Sequence, residues 1–173
     1  AAIISVSEVV GVMLLLSVTL IIAAVVAVYA TSSVSEPGQP IKADLVASDV
    51  VTESGTYQII FDHRSGDPFN VDRVEVSLIS REDPSVHMLL GNKPGGQQYI
   101  ETFDDNQMVL LGDRFKVSLG IYNEDSDTLR LFFPRNREIN CNEHHLTYRF
   151  IDSRAGVPIS SGEILIRKPA LNK

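Results

Sequence analysis

The chain has one cysteine, no Asn-x-Ser/Thr triplet, and no lysine or arginine before Lys42. A lone Cys141 excludes an intramolecular disulfide framework, so a folded domain here must be held by its apolar core. The missing triplet excludes N-glycosylation of the standard kind. With no basic residue ahead of Lys42, the positive-inside rule has almost nothing to count at the N-terminus. Charge of either sign is absent from Val9 to Ser35, and Glu8 stands alone at the edge of that stretch.

Chemistry-bearing motifs are missing as well. There is no Gly-x-Ser-x-Gly elbow. Gly91-Asn-Lys-Pro-Gly-Gly96 lacks the Gly-Lys-Ser/Thr ending of a phosphate loop and precedes a strand pattern, so it reads as a hairpin loop. Cys141-Asn-Glu-His144-His145, with His63 and His87 elsewhere, lacks paired zinc-ligand spacing, and adjacent histidines on a strand face opposite ways. They read as surface histidines beside a thiol. Asp125-Ser-Asp127 beside Glu124 lacks the Gly and terminal Glu of a calcium loop and reads as a solvated turn. Tyr122 and Phe132-Phe133-Pro134 read first as core and second as adhesive aromatics. The expectation is a protein that is not an enzyme, with no cofactor and no metal.

What is present begins with an apolar run. Residues 9–29 form a 21-residue segment without proline whose only polar members are Ser17 and Thr19. As a helix it spans roughly 31 Å, close to the hydrocarbon thickness of a bilayer. Its apolar residues lie on every side, so no face suits water, and such a helix belongs in lipid or inside other protein. A secretory signal has a shorter apolar core, basic residues ahead of it and a small-residue cleavage site behind, and none of these is seen. The chain opens on Ala1-Ala-Ile-Ile4, and the expectation is that a basic leader has been removed ahead of Ala1.

All 15 Lys and Arg follow residue 36, together with 20 of the 22 acids, a net charge of −5 for that part. An acidic remainder of this size is enough for one domain with its own core. It argues against nucleic acid or anionic lipid as a main partner, since both need clustered Lys and Arg. Thr31-Ser-Ser-Val-Ser-Glu-Pro-Gly-Gln-Pro40 opposes helix continuation and places a boundary within 30–41. The expected division is 1–35, an N-terminal helix and the start of a linker, and 36–173, a head domain.

In the head the periodicity turns to alternation. Val74, Val76 and Leu78 share one face of a strand pattern, and Leu146, Tyr148 and Phe150 share another. Residues 115–121 repeat the pattern, and 56–61, 86–90, 98–103, 128–133 and 162–167 complete about eight strands. Turn signals separate them at short intervals, and no long amphipathic helical pattern competes. The expected fold is therefore α+β in two parts: a long hydrophobic helix, then an all-β antiparallel, immunoglobulin-like sandwich, with an open barrel as the other architecture.

Residues 5–27, Ser-Val-Ser-Glu-Val-Val-Gly-Val and the run that follows, resemble the N-terminal segment of archaeal type IV pilins, which opens with Ala-Val-Ser-Glu/Pro-Val-Ile/Val-Gly-Val. His63-Arg-Ser-Gly-Asp-Pro-Phe-Asn70 is similar to the His-x-Gly-Gly-Asp turn of that family's head, with Ser65 in place of the first Gly. The resemblance implies an extracellular filament subunit held in the membrane as a precursor, trimmed by a prepilin peptidase and drawn by pilus assembly machinery into a helical homopolymer. Were the family pattern to set the mature start at Ser5, residues 1–4 would be extra and Glu8 fourth. Swimming filaments of archaea share the general plan. A single-span, membrane-anchored binding module uses the same two parts.

On this reading the polymerising element comprises Glu8, Val9, Gly11, Val12, Leu15, Leu16, Val18, Ile22, Ala23 and Val26, with the head as outer surface. Gly11, Ala23, Ala24 and Ala27 permit close helix approach or simply fill a membrane helix. Glu8 reads either as a helix-start acid, with Ser5 or Ser7 as cap, or as a partner for the N-terminal amine of a neighbouring subunit. Surface adhesion is the expected use.

Overall fold

Ser54 and Gly55 both adopt positive φ, 50° and 79°, which is what a tight hairpin requires of its two central residues. They join β1 (Ala43–Glu53) to β2 (Thr56–Gly66), the longest strand pair in the chain. The computed structural model describes residues 2–33 and 39–171, with helix side chains described for 7–28. Two compact units result, Ala1–Gln39 and Pro40–Lys173.

The first unit is α1 (Ala2–Ser33). Thr31, Ser32 and Ser33, read from sequence as the start of a linker, are helical; residues 34–38 of that segment lie outside the described residues. Ser5 and Ser7 sit within the helix, so neither is its cap, and Glu8 belongs to the second turn rather than the first.

The second unit continues with β3 (Phe69–Asn70), β4 (Val74–Ser80), β5 (His87–Gly91), β6 (Ile100–Thr102), β7 (Met108–Val109), β8 (Arg114–Asn123), β9 (Thr128–Leu131), β10 (Glu138–Asn140), β11 (His145–Asp152), β12 (Pro158–Leu165) and β13 (Ala170–Leu171). A seven-stranded sheet runs β10-β9-β8-β2-β1-β13 with β6 also on β8, a four-stranded sheet runs β12-β11-β4-β5, and β3 pairs with β7. Pairing is antiparallel except for β1 with β13. The two larger sheets bury their facing sides against each other as a sandwich, the architecture that one-sided alternation demands.

Phe61 of β2 marks the centre of that core. Its ring lies 4.8 Å from Phe150 and 5.0 Å from Tyr148, both on the opposite sheet and both edge-on, and 5.6 Å from Phe115 beside it. Val74, Val76, Leu78, Leu146, Tyr148 and Phe150 all point inward, as their alternation predicts.

The sequence reading differs from the structure in two further places. β1 was not expected, because two bulges, between Asp44 and Leu45 and between Ala47 and Asp49, break its period. Backbone groups left over at the bulge are met from the facing sheet: Ser160 Oγ bonds both the amide and the carbonyl of Leu45 at 3.2 Å, and the Ala47 amide donates to Tyr148 Oη at 3.3 Å. The 91–96 loop is not a hairpin, since β5 pairs in the smaller sheet and β6 in the larger; it carries the chain from one sheet to the other.

Candidate functional site

The candidate site for assembly is the surface of α1. Ser7–Val28 has a mean hydropathy of 2.9 and none of it is buried. Glu8, Val9, Gly11, Val12, Leu15, Leu16, Val18, Ile22, Ala23 and Val26 are all exposed, and Leu15 keeps 68% of its surface open. The two mid-span hydroxyls turn inward on the helix: Ser17 Oγ donates to the Met13 carbonyl at 2.8 Å and Thr19 Oγ1 to the Leu15 carbonyl at 2.6 Å. From Val9 to Val28 the rod therefore presents hydrocarbon in every direction. Around Gly11 nothing lies within 4 Å of where a Cβ would stand, so this position leaves a shallow notch.

The head begins at Ile41 and Lys42, which two acids hold by the backbone. Asp152, fully buried, accepts from the Ile41 amide at 3.1 Å, from the Arg154 and Ala155 amides, and from Arg73 Nη2 at 3.0 Å. Burial pushes its carboxyl up, but these donors outweigh it and leave the group below the ordinary carboxylate range. Asp67 accepts from the Lys42 amide at 3.2 Å and returns its own amide to the Lys42 carbonyl at 2.8 Å.

Asp67 belongs to the His63–Asn70 motif, whose Gly66 also packs against Lys42. Gly66 has φ +104°, and a Cβ there would collide with the Lys42 carbonyl. His63 Nδ1 bonds the Leu110 carbonyl at 2.8 Å and its ring packs on Phe69. Ser65 has no positive φ, so the glycine of the pattern is not required at that position.

The other candidates are structural. Cys141 is buried, and burial pushes its thiol up to about 11, away from reactivity. His144 Nδ1 bonds Ser80 Oγ at 2.9 Å, and His145 Nδ1 bonds Glu82 Oε1 at 2.6 Å. The His145 amide holds the Glu82 carboxyl down to about 2. Among the described residues no group of three or more His, Cys, Asp or Glu side chains is placed to hold a metal. Asp127 is engaged by Tyr122 Oη at 2.7 Å and Lys168 Nζ at 3.3 Å. Tyr122 is core, while Phe133 is exposed beside Tyr99.

One feature escaped the sequence reading: a cleft of about 820 Å³ over the outer face of the larger sheet, lined among others by Thr52, Gln58, Glu101, Phe103 and Lys116. Its residues come from β1 and the turn after it, β2, Val71, the crossing loop, β6, the 103–107 loop and β8, so no local pattern announces it.

Residues 4–44 match the family model described as archaeal type IV pilin, N-terminal, which bears out the resemblance over the helix and the entry to the head. No curated protein matches the chain. Among solved structures, a similar chain is the archaellum periplasmic stator protein FlaG from Sulfolobus acidocaldarius, at 10% identity and a TM-score of 0.40, with 72% of this chain and 99% of that chain covered.

Proposed function

We propose that the chain is a structural subunit of an archaeal type IV pilus-like extracellular filament, polymerising through α1 and used for surface adhesion. The observation that carries the proposal is an apolar helix exposed from Ser7 to Val28, in a segment that matches the archaeal type IV pilin model, joined to a head with its own core. In lipid such a helix is at ease. Once drawn out by assembly machinery, it can hide from water only against copies of itself. If each helix buries on the order of 1,500 Å² at about 25 cal/mol per Å², the gross gain is tens of kcal/mol before association costs. A head-to-tail contact that does not close on itself then builds a fibre from identical subunits.

Glu8, Val9, Gly11, Val12, Leu15, Leu16, Val18, Ile22, Ala23 and Val26 form the packing surface. Glu8 sets the axial register by pairing with the N-terminal amine of a neighbouring subunit. Before assembly the same helix holds the trimmed precursor in the membrane, and the head faces outward.

The test is electron microscopy of material sheared from cells, with the full chain and with a version starting at Ile41. The full chain gives filaments with the helix in a lipid-free core, and the truncated version gives soluble monomer. Filaments of native diameter from the truncated chain would refute the proposal. The candidate membrane span is shared by a second reading, a single-span anchored binding module, and recovery of the full chain only as detergent-solubilised monomer favours that one.

A further inference from the structure

We infer that the end of the head at which the chain enters docks on a lipid surface, the zwitterionic interface of the bilayer, with the turn at Leu110 and Leu111 as its apolar contact. The inference rests on the reading of α1 as a membrane span before assembly, and adds to it a lipid contact made by the head itself.

That turn is closed by polar bonds alone. The Asp113 amide donates to the Leu110 carbonyl at 3.0 Å, Asp113 Oδ2 accepts from the Leu110 amide at 2.9 Å, and Gly112 takes the positive φ of 87°. The two leucine side chains are therefore not needed to hold it, and they keep 50% and 65% of their surface open where turns ordinarily carry polar residues. His63 fixes where the turn stands. It pairs with Leu45 of β1 on one side, and on the other its amide donates to the Asp113 carbonyl and its carbonyl accepts from the Gly112 amide, two strand spacings or roughly 10 Å from β1. Met108, paired with Asn70 of the His63–Asn70 motif, is exposed at the same end. So is Val157, whose carbonyl accepts from the amide of Asp152, the residue that holds Ile41. Large apolar side chains gathered at one end of a soluble domain mark a contact.

Reach and charge select lipid as the occupant. The candidate span is Ser7–Val28, α1 runs on to Ser33, and Ile41 follows eight residues later, so even a fully extended connection keeps the entry end within roughly 30 Å of the end of the helix. A tether this short raises the effective concentration of lipid at that end. Lys42, Arg64 and Arg154 are exposed there, and none of them pairs with an acid among the described residues. Asp67, Asp105 and Asp113 stand on the same loops. Charges of both signs suit a surface that offers phosphate beside choline, whereas the acids oppose a wholly anionic one.

The chain contains no tryptophan, so a single introduced one reports its own surroundings. The test reconstitutes the full chain, at a high ratio of lipid to protein, into phosphatidylcholine vesicles with plain or brominated acyl chains, and reads tryptophan emission. Leu111→Trp loses emission about twofold in the brominated vesicles, because an interfacial group sits roughly 5–10 Å into the headgroup and acyl boundary. Leu15→Trp, in the candidate span, is quenched as well, and Leu89→Trp, 55% exposed on the smaller sheet, is not. Leu15→Trp quenched while Leu111→Trp behaves like Leu89→Trp overturns the inference and leaves the span standing. Leu15→Trp unquenched overturns both. Quenching at Leu111→Trp that requires phosphatidylglycerol, or a blue shift that arises only when chains are crowded, overturns the inference too, the latter because a second copy is then the occupant. Should Leu111→Trp fail to fold, Leu110→Trp decides.

Discussion

The Ile41 amide donates to Asp152 Oδ2 across 3.1 Å and 111 residues of sequence, so the first core residue of the head is tied to the end of β11 by a buried carboxylate that Arg73 also grips. Asp152→Ala leaves the Arg73 guanidinium and the Ile41, Arg154 and Ala155 amides without their shared acceptor. Urea denaturation of the full chain in micelles should show a loss of about 3 kcal/mol.

Asp152 also gives the head an acid limit. Its carboxyl is held below the ordinary range, so its contribution to stability is full above the unfolded value, about 4, and is lost as pH falls through the folded one. Comparing Asp152→Asn with the parent chain isolates this group from other lowered acids. The difference in unfolding free energy should be constant from neutral pH to about 5 and shrink steadily below about 4. A difference that grows on acidification would contradict the assignment.

Much of the head was legible because alternation records burial directly: Val74, Val76 and Leu78, then Leu146, Tyr148 and Phe150, face the core where their spacing places them. β1 was illegible for the converse reason. Its inward residues Leu45 and Val50 are five apart, a spacing that only bulges can reconcile with one face, and bulges are stabilised by side chains distant in sequence. The helix was legible by hydropathy alone. The cleft needed several separate segments brought together and left no trace in any one of them.

That account of β1 can be checked at Ser160. Its hydroxyl serves both backbone groups of Leu45, a fully buried residue, at 3.2 Å. Ser160→Ala removes the partner of a buried amide and a buried carbonyl at once. The expected cost is about 2 kcal/mol in denaturant unfolding. Faster amide exchange should be confined to residues 43–50.

Gly66 separates a structural role of the His63–Asn70 motif from a merely permissive one. At φ +104° an alanine is strained, and its Cβ would fall on the Lys42 carbonyl, a backbone atom that cannot swing away. Gly66→Ala should cost about 2–3 kcal/mol, with the Asp67 hydrogen bonds to Lys42 the first lost. Ser65→Gly, which restores the first glycine of the pattern, should leave stability unchanged or slightly lower, because Ser65 has no positive φ.

Glu8 bears on the assembly proposal most directly. It lies in the second turn of α1 as counted from Ala2, about 9 Å along the axis. An ionised acid within a span costs roughly 2.5–3.5 kcal/mol at mid-depth and less near an end, so an acid at this position opposes membrane retention and needs a compensating contact elsewhere. Glu8→Gln keeps shape and removes charge. It should leave head stability untouched, hold the monomer in membranes at least as well, and cut filament yield or alter the axial rise measured by helical reconstruction. Normal yield with an unchanged rise would show that register comes from the apolar surface alone, with Gly11 and the alanines as its shape code.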